Sequence, residues 1–236
     1  MSTIPPPGWY PAPNGSSTAW WWDGRSWADP RPRLVATPAI LGLAVATRVL
    51  LVVGGVLSMA SIGVEVLGIT AVEDQLRGAG SAFARLEAYD LSSLVIVLLS
   101  GAVSLATGIV WMCWQYRVAM QVAGKTRRSP GWHAGAWLVP FVALWFPYQN
   151  ISDLWRAIGR TPPRWLIVWW LLWLGSHISV QISNQLAGTE PALEEFRALM
   201  WSTLANGVML VAATPFAWLI VHRITHAFES SVASSW

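Results

Sequence analysis

The sequence has little of what many protein functions require. It holds a single cysteine, Cys113, among 236 residues. One cysteine excludes an internal disulfide and any cysteine-based zinc or iron–sulfur cluster. Charged residues make up only 11 % of the chain, whereas a soluble domain usually carries about 25 %. This shortage excludes a basic nucleic-acid-binding domain, a coiled coil and a disordered chain, and it argues against an ordinary soluble enzyme.

The usual signatures of catalysis and export are missing as well. The sequence has no nucleophile elbow, phosphate loop, dinucleotide glycine motif or pair of intramembrane aspartates. Its first residues, MSTIPPPGWYPAPNGSS, lack the charged start and apolar run of a cleavable signal peptide. We therefore expect a non-enzymatic protein without a cofactor or a nucleic-acid partner, whose first apolar segment stays in the chain.

Tryptophan is what the chain holds in excess. There are 18 tryptophans against 4 tyrosines and 6 phenylalanines, and hydrophobic residues make up 54 % of the sequence. The mean hydropathy is +0.46. Tryptophan is enriched where membrane proteins meet the headgroup layer. The composition therefore predicts a membrane protein with many interface-seeking side chains.

Four apolar segments predict an all-α integral membrane protein with four transmembrane helices. They cover residues 38–69, 91–114, 165–186 and 201–224. About 20 residues suffice to cross about 30 Å of hydrocarbon, and lipid demands helices because it cannot pair backbone groups. Glycines at 54, 55 and 63 are expected to permit close helix packing.

A fifth apolar piece, residues 132–147, contains Pro140 and is short for a full span. It is expected to be an interfacial or re-entrant helical segment. A crossing segment is the alternative, with a poorer distribution of charge.

The charges predict how the chain lies across the membrane. Eleven of the 15 Lys and Arg residues fall in segments 1–37, 115–164 and 223–236, and seven acids fall in 70–90 and 187–200. The positive-inside rule then places both termini, including the tail 229–236, in the cytoplasm. We expect a multi-pass protein of the cell membrane with the bilayer as its main partner.

Residues 1–37 form a cytoplasmic stretch of a different kind, rich in proline and tryptophan. Short aromatic pieces alternate with turn signals, and Asp23-Gly24 is a strong hairpin signal. We expect a small hairpin or three-stranded sheet over about 6–29; a disordered proline-rich tail is the alternative. The candidate partner-binding residues are Trp9, Tyr10, Trp21, Trp22, Asp23 and Trp27.

Polar residues inside the apolar segments form a second candidate site. Arg48 and Glu65 are 17 residues apart, about 25 Å along one helix, which suits snorkelling to opposite interfaces. A buried Arg48 on an ion or substrate path is the alternative. His177, Gln181 and Asn184 share one helix face, which we expect to pack against other helices through hydrogen bonds. A polar, proton-handling cavity is the functional alternative.

His222 and His226 are one helical turn apart, and Glu229 follows. This spacing can hold a metal, but the Glu that a zinc protease needs after the first His is absent. Cations near a helix C-terminus are also favourable for the helix dipole alone. We therefore expect no metal site, and His222 and His226 are only a weak candidate pair for one.

Between residues 114 and 156, aromatic residues alternate with basic ones. Such a pattern suits anchoring at an anionic membrane surface; a lipid-headgroup pocket is the functional alternative. The candidate residues of this loop are Arg117, Pro130, Trp132, Pro140, Pro147, Tyr148, Trp155 and Arg156.

Two family resemblances cover most of the chain. Pro7-Gly8-Trp9-Tyr10-Pro11-Ala12-Pro13, Trp21-Trp22-Asp23-Gly24 and Trp27 resemble the short actinobacterial module of domain-of-unknown-function family 2510, which usually has Asp in place of Ala12. Residues 38–228 resemble the membrane domain-of-unknown-function family 4328. The matching motifs are Trp114-Gln115-Tyr116-Arg117, Ser129-Pro130-Gly131-Trp132, Val139-Pro140, Pro147-Tyr148-Gln149 and Leu154-Trp155-Arg156. These resemblances imply an actinobacterial cell-membrane protein and no known activity.

Two functions remain open at this point. The first is a scaffold or interaction protein whose N-terminal module binds a cytoplasmic protein, because exposed aromatics are common recognition surfaces. The second is a small transporter, or a lipid- or ion-handling protein, that uses the polar stripe of the third span.

Overall fold

Three short strands precede a bundle of long helices. The structure is a computed structural model that describes residues 5–13, 15, 19–28, 36–78, 80, 82–186 and 193–233. Side chains within these ranges are described except at 28, 82, 182–186, 193–194 and 230–233. The elements are β1 (Gly8–Pro11), β2 (Ala19–Trp22), β3 (Trp27–Ala28), α1 (Pro38–Leu76), α2 (Ala82–Gln121), α3 (Pro130–Gly135), a 3-10 helix (Val142–Leu144), α4 (Phe146–Ala157), α5 (Trp165–Leu186) and α6 (Leu193–Ala233).

The strands form one antiparallel sheet in the order β1-β2-β3. The turn between β2 and β3 is built by Asp23, whose Oδ1 accepts hydrogen bonds from the backbone N–H groups of Arg25 and Ser26, both at 2.7 Å. These bonds lower the pKa of the Asp23 carboxyl. Gly24 follows with φ +97°, which an L side chain rarely adopts. The small N-terminal sheet expected from the sequence is therefore present.

The long helices coincide with the predicted apolar segments and extend beyond most of them. Pro38–Leu76, Phe83–Gln121 and Glu195–Glu229 are long and apolar enough to cross a membrane. Helix α1 has 39 residues, about 58 Å, so it extends well beyond one hydrocarbon layer. Helix α5 occupies 165–186 as expected, and its crossing of the membrane stays a prediction.

The described bundle has a buried core at each end. Helix α1 packs on both α2 and α6, and α5 packs on α6. The larger core lies where α1 and α5 begin and α2 and α6 end; we call this the tryptophan-rich end. A smaller core around Ile69, Val72 and Met200 lies at the opposite end. Between the cores, apolar side chains such as Leu98 and Leu105 point outward, as lipid contact allows.

The interfacial or re-entrant helical segment expected over 132–147 is only partly helical. It contains the end of α3, a run of turns, the 3-10 helix and the first residues of α4. Helix α3 ends at Gly135, and Pro140, which lacks a backbone N–H, lies in the turns that follow. Pro147 suits the first turn of α4. In this segment Leu138, Phe141 and Trp145 are exposed, and the depth of the segment in the membrane stays a prediction.

Glu65 does not snorkel as the sequence analysis expected. It is only 5 % exposed, and its Oε2 accepts a hydrogen bond of 3.1 Å from the Tyr89 hydroxyl of α2. Gly68, one turn further along α1, permits this approach because a Cβ there would lie 2.5 Å from the Tyr89 ring. Glu65 therefore lies between α1 and α2, because the Tyr89 hydroxyl of α2 donates a hydrogen bond to it.

Only some of the glycines expected to permit close packing do so. A Cβ on Gly55 would lie 3.2 Å from Thr214 of α6, so Gly55 lies at a helix contact. A Cβ on Gly54 would be in ordinary contact with Val103, at 3.8 Å, and one on Gly63 would meet nothing within 4 Å. The packing role expected of Gly63 is therefore wrong, since that position faces open space.

Adding one methyl group at Gly68 should destabilise the bundle. We expect Gly68→Ala to cost about 1–3 kcal/mol, because the Tyr89 ring must move and its hydrogen bond to Glu65 must lengthen. Gly63→Ala is the matched control and should be neutral or slightly stabilising, since alanine favours helices. Unfolding of both variants in the same detergent measures the difference, and equal stabilities would contradict the packing at Gly68.

Candidate functional site

One face of the N-terminal sheet carries an exposed pair of indoles. Trp9 and Trp21 are direct partners in the β1–β2 register. They are 61 % and 38 % exposed, with ring centroids 5.5 Å apart and ring planes at 70°. Edge-to-face geometry of this kind is a favourable arrangement for aromatic pairs. The pair forms an accessible apolar surface on an ordered backbone, and we call it the indole pair.

The remaining aromatic candidates of this sheet hold its opposite face together. The Tyr10 and Trp22 rings pack against Trp27, with centroids 6.0 and 4.9 Å away. The Tyr10 hydroxyl donates to the Pro6 carbonyl at 2.8 Å, and Trp22 Nε1 donates to the Pro5 carbonyl at 3.0 Å. The prolines thus cover this face, which leaves the indole pair as the side open to a partner.

The tryptophan-rich end is organised around a buried amide. Gln115 is fully buried, and its Oε1 accepts hydrogen bonds from Trp111 Nε1 at 3.1 Å and Trp137 Nε1 at 2.9 Å. The Trp111 ring stacks on Trp169 of α5, at 5.9 Å. A single acceptor therefore joins α2 to the turns after α3, and ring contacts continue the cluster into α5.

A buried carboxylate pairs with two of the loop arginines. Asp153 of α4 is 5 % exposed at its side chain and accepts from Arg127 Nε at 3.0 and 2.9 Å. Arg156 also donates to it, at 3.2 Å. The hydrogen bonds that Arg127 donates to Asp153 raise the pKa of Arg127. Asp153 therefore ties α4 to the stretch that follows α2.

Neighbouring polar groups extend this network. Arg128 donates to the side-chain oxygens of Gln149 and Asn150 and lies 3.6 Å above the Phe146 ring. Asn150 donates to the Trp132 carbonyl at 2.9 Å. Burial and the nearby Arg127 lower the pKa of Arg128. These contacts pack α4 against α3 and explain why both short helices hold their positions.

His133 of α3 is fully buried beside this network. Neither ring nitrogen has a hydrogen-bond partner within the part of the chain that the structure describes. Burial lowers the pKa of His133 to about 4, partly offset by Asp153. The imidazole is therefore neutral at physiological pH, with its polar atoms unsatisfied.

Some candidate residues of the loop are buried in the fold, and others are exposed. Trp155 and Pro147 are buried, Pro130 starts α3, and Tyr148 is half-buried with its carbonyl bonded to Ser152. Trp132 is exposed at its ring, and its carbonyl accepts from Asn150. Arg156 pairs with Asp153, while Arg117 and Pro140 are exposed. Several of these motif residues thus stabilise the fold itself.

The polar stripe of α5 does not face other helices as expected. His177 and Gln181 are both exposed, and the Asn184 side chain lies outside the described residues. The adjoining face packs on α6 instead, because Gly175 lets Met209 approach to 2.7 Å from where a Cβ would lie. His177 bonds to the Trp173 carbonyl of its own helix. The prediction that this stripe packs against other helices is therefore wrong for His177 and Gln181.

Arg48 contacts His222 rather than His177. Its guanidinium lies 3.3 Å from His222 Nδ1 and 5.6 Å from the centre of the Trp218 ring. His226 is exposed one turn further along α6. A cation beside His222 is unfavourable for a metal, and no group of three or more potential ligands occurs among the described residues.

Both the fold and the sequence relate this chain to known proteins. Its long apolar helices and outward apolar faces indicate a helical membrane protein. Residues 77–226 match the family described as a domain of unknown function, DUF4328. This match covers more than half of the chain, and the protein belongs to that family. No curated protein and no solved structure matches the chain.

Sequence reasoning missed Asp153, at the centre of the polar network, and His133, buried beside it. A usable signal existed for the first: Asp153 is the sole acid between residues 115 and 164, among seven basic residues. A lone carboxylate in such a stretch has many potential cationic partners. No comparable signal marks His133, whose burial depends on contacts between distant segments.

Removing the Asp153 charge should weaken the tryptophan-rich end. We expect Asp153→Asn to lower the free energy of unfolding by about 1–3 kcal/mol, since Arg127 and Arg156 lose a charged acceptor. Glu73→Gln, which breaks an exposed pair with Arg77, should cost at most about 1 kcal/mol. Denaturation of both variants in detergent gives the comparison. Equal losses would contradict a structural role for Asp153.

His133 should make the protein less stable in mild acid. In the unfolded chain the histidine pKa is about 6.5, above the value of about 4 in the fold. Below about pH 6.5 the unfolded chain takes up the proton first, so stability falls towards pH 4 by at most about 1.4 kcal/mol per pH unit. His133→Leu should remove this slope, and the exposed His226→Leu should keep it. Parallel pH profiles of all three proteins would contradict the buried neutral imidazole.

Proposed function

We propose that this protein is a non-enzymatic, membrane-anchored interaction protein. The N-terminal sheet recruits a cytoplasmic protein, and the helical domain holds that partner at the cell membrane. The resemblance of residues 6–29 to the actinobacterial family 2510 module is part of this proposal.

The exposed indole pair is the observation that carries the proposal. Trp9 and Trp21 project from a sheet whose other face is covered by its own prolines. Tryptophan is strongly enriched among the residues that dominate binding energies. Aromatic surfaces of this kind accommodate proline-rich segments in an extended polyproline conformation, because such segments are already ordered. The partner is therefore a protein with an exposed proline-rich segment.

The membrane arrangement in this proposal has four spans and both termini in the cytoplasm. Three helices meet the length and composition of a span, and α5 supplies the fourth with 22 residues. The excess of basic residues in 1–37, 115–164 and 223–236 supports the orientation. The exposed apolar side chains of Leu138, Phe141 and Trp145 support an interfacial position for the loop.

The transporter alternative loses its main argument. It required a polar stripe lining a cavity between helices, and His177 and Gln181 are exposed on the outside of α5. Arg48, the other polar candidate, is engaged by His222 at the tryptophan-rich end. Nothing in these contacts favours a pathway for a substrate.

Binding of a proline-rich peptide to the full-length protein in lipid nanodiscs tests the proposal. We expect a fluorescently labelled polyproline peptide to bind the wild type, and Trp9→Ala/Trp21→Ala to bind it at least about tenfold more weakly, since such residues contribute about 2 kcal/mol or more. Peptide anisotropy reports the affinity without interference from the protein's own tryptophans.

Trp145→Ala/Trp201→Ala is the matched control, because it removes two tryptophans that are exposed elsewhere. It should bind like the wild type. A wild type that does not bind the peptide, or an equal loss in the control, would contradict the proposal.

A further inference from the structure

An open cleft lies at the tryptophan-rich end, between the α4–α5 connection and α6. Its volume is about 450 Å³, and its lining residues are Trp155, Gly159, Arg160, Thr161, Pro163 and Arg223. This volume is within the range of about 300–1,000 Å³ typical of small-ligand sites. Its lining therefore includes two arginines, a threonine and a tryptophan.

The backbone after α4 is shaped to present these groups. The Gly159 N–H donates to the Arg156 carbonyl at 2.9 Å, and the Arg160 N–H donates to the Trp155 carbonyl at 3.1 Å. Gly159 has φ +78°, a left-handed conformation that ends helices and reverses the chain. The reversal places Arg160 and Thr161 beside Trp155, where α6 supplies the second arginine.

Arg223 reaches the cleft from a distant part of the sequence. It is 63 positions beyond Arg160, and its guanidinium lies 5.9 Å from the centre of the Trp165 ring at the start of α5. A cation over an indole face is held in place while its donors stay free for another acceptor. Two separate elements thus bring positive charge to one cleft.

The charges of this cleft differ from those of the neighbouring network. Arg127 and Arg156 are paired with Asp153, and Arg128 donates to two amide oxygens. By contrast, the side chains of Arg160 and Arg223 have no carboxylate partner within the described ranges. Two uncompensated cations in one concave site attract an anion.

We propose that this cleft binds a phosphate group. Guanidinium pairs fit the oxygens of a phosphate better than those of a spherical anion because their donors are planar and forked. Thr161, which also lines the cleft, carries a hydroxyl that can donate to the same group. The phosphate can belong to an anionic phospholipid or to a soluble ion, and the experiment below distinguishes these sources.

Native mass spectrometry of the full-length protein in detergent tests this site. The probes are phosphatidylglycerol and phosphatidylcholine, added in equal amounts, and inorganic phosphate. We expect phosphatidylglycerol to bind preferentially and Arg160→Ala/Arg223→Ala to reduce its affinity at least about tenfold. Competition by millimolar inorganic phosphate identifies a soluble anion as the natural source; no competition identifies the lipid.

Arg25→Ala/Lys125→Ala is the matched control, since both side chains are exposed and the same two charges are lost. It should keep wild-type affinity. Equal losses in the two double variants, or a wild type that neither prefers phosphatidylglycerol nor binds inorganic phosphate, would overturn the proposal.

Circular dichroism and gel filtration establish that each variant is folded. If the double alanine variant fails to fold, Arg160→Lys/Arg223→Lys takes its place. Lysine keeps the charge and loses the forked geometry, so unchanged phosphatidylglycerol binding would overturn the proposal and weaker binding would support it.

Discussion

The buried carbonyl of Gln115 is the contact on which the tryptophan-rich end depends. Two indole N–H groups from different segments need an acceptor in a place that water does not reach, and Gln115 Oε1 supplies it. A buried donor left unpaired costs about 1–3 kcal/mol. The Gln115 amide nitrogen has no partner among the described residues. One buried donor is therefore left unpaired, whereas two indole donors are paired.

Side chains are buried at the two ends of the bundle and exposed in its middle, as expected for a protein whose middle is surrounded by lipid. In lipid, apolar side chains gain little from leaving the surface, and α2 buries almost none of its apolar stretch. Specific contacts therefore concentrate at the ends: Glu65 and Tyr89 at one, and the indoles with the Asp153 network at the other. Between the ends, the helices meet at small residues such as Gly55 and Gly175, and the outward side chains are apolar.

This arrangement changes the meaning of the tryptophan excess. From composition alone, the tryptophans indicate side chains that seek the headgroup layer. Trp111, Trp114 and Trp169 are instead buried, at 7, 0 and 3 % exposure, and they form the core that joins the helices. Trp132, Trp145 and Trp201 remain exposed, as interfacial anchors would be.

Hydropathy and turn chemistry were sufficient to predict the four long helices and the N-terminal sheet, but not the short helices α3 and α4. Apolar runs depend on neighbours in sequence, and so does the Asp23-Gly24 turn. The site depended on pairs far apart: Arg48 and His222 are 174 positions apart, and Arg127 and Asp153 are 26 apart. Three helices, α1, α2 and α6, are also longer than predicted, because each continues beyond its apolar stretch. Periodicity carries no information about side-chain pairs between distant segments, which form only once the helices pack.

Hydrogen–deuterium exchange of the full-length Gln115→Met variant tests this account most directly. Methionine has a similar volume and offers no strong acceptor, so both indoles lose their partner. The account predicts faster exchange over residues 130–157 and unchanged exchange in the sheet and around Glu65. Unchanged exchange throughout, or a uniform increase over the whole chain, would contradict it.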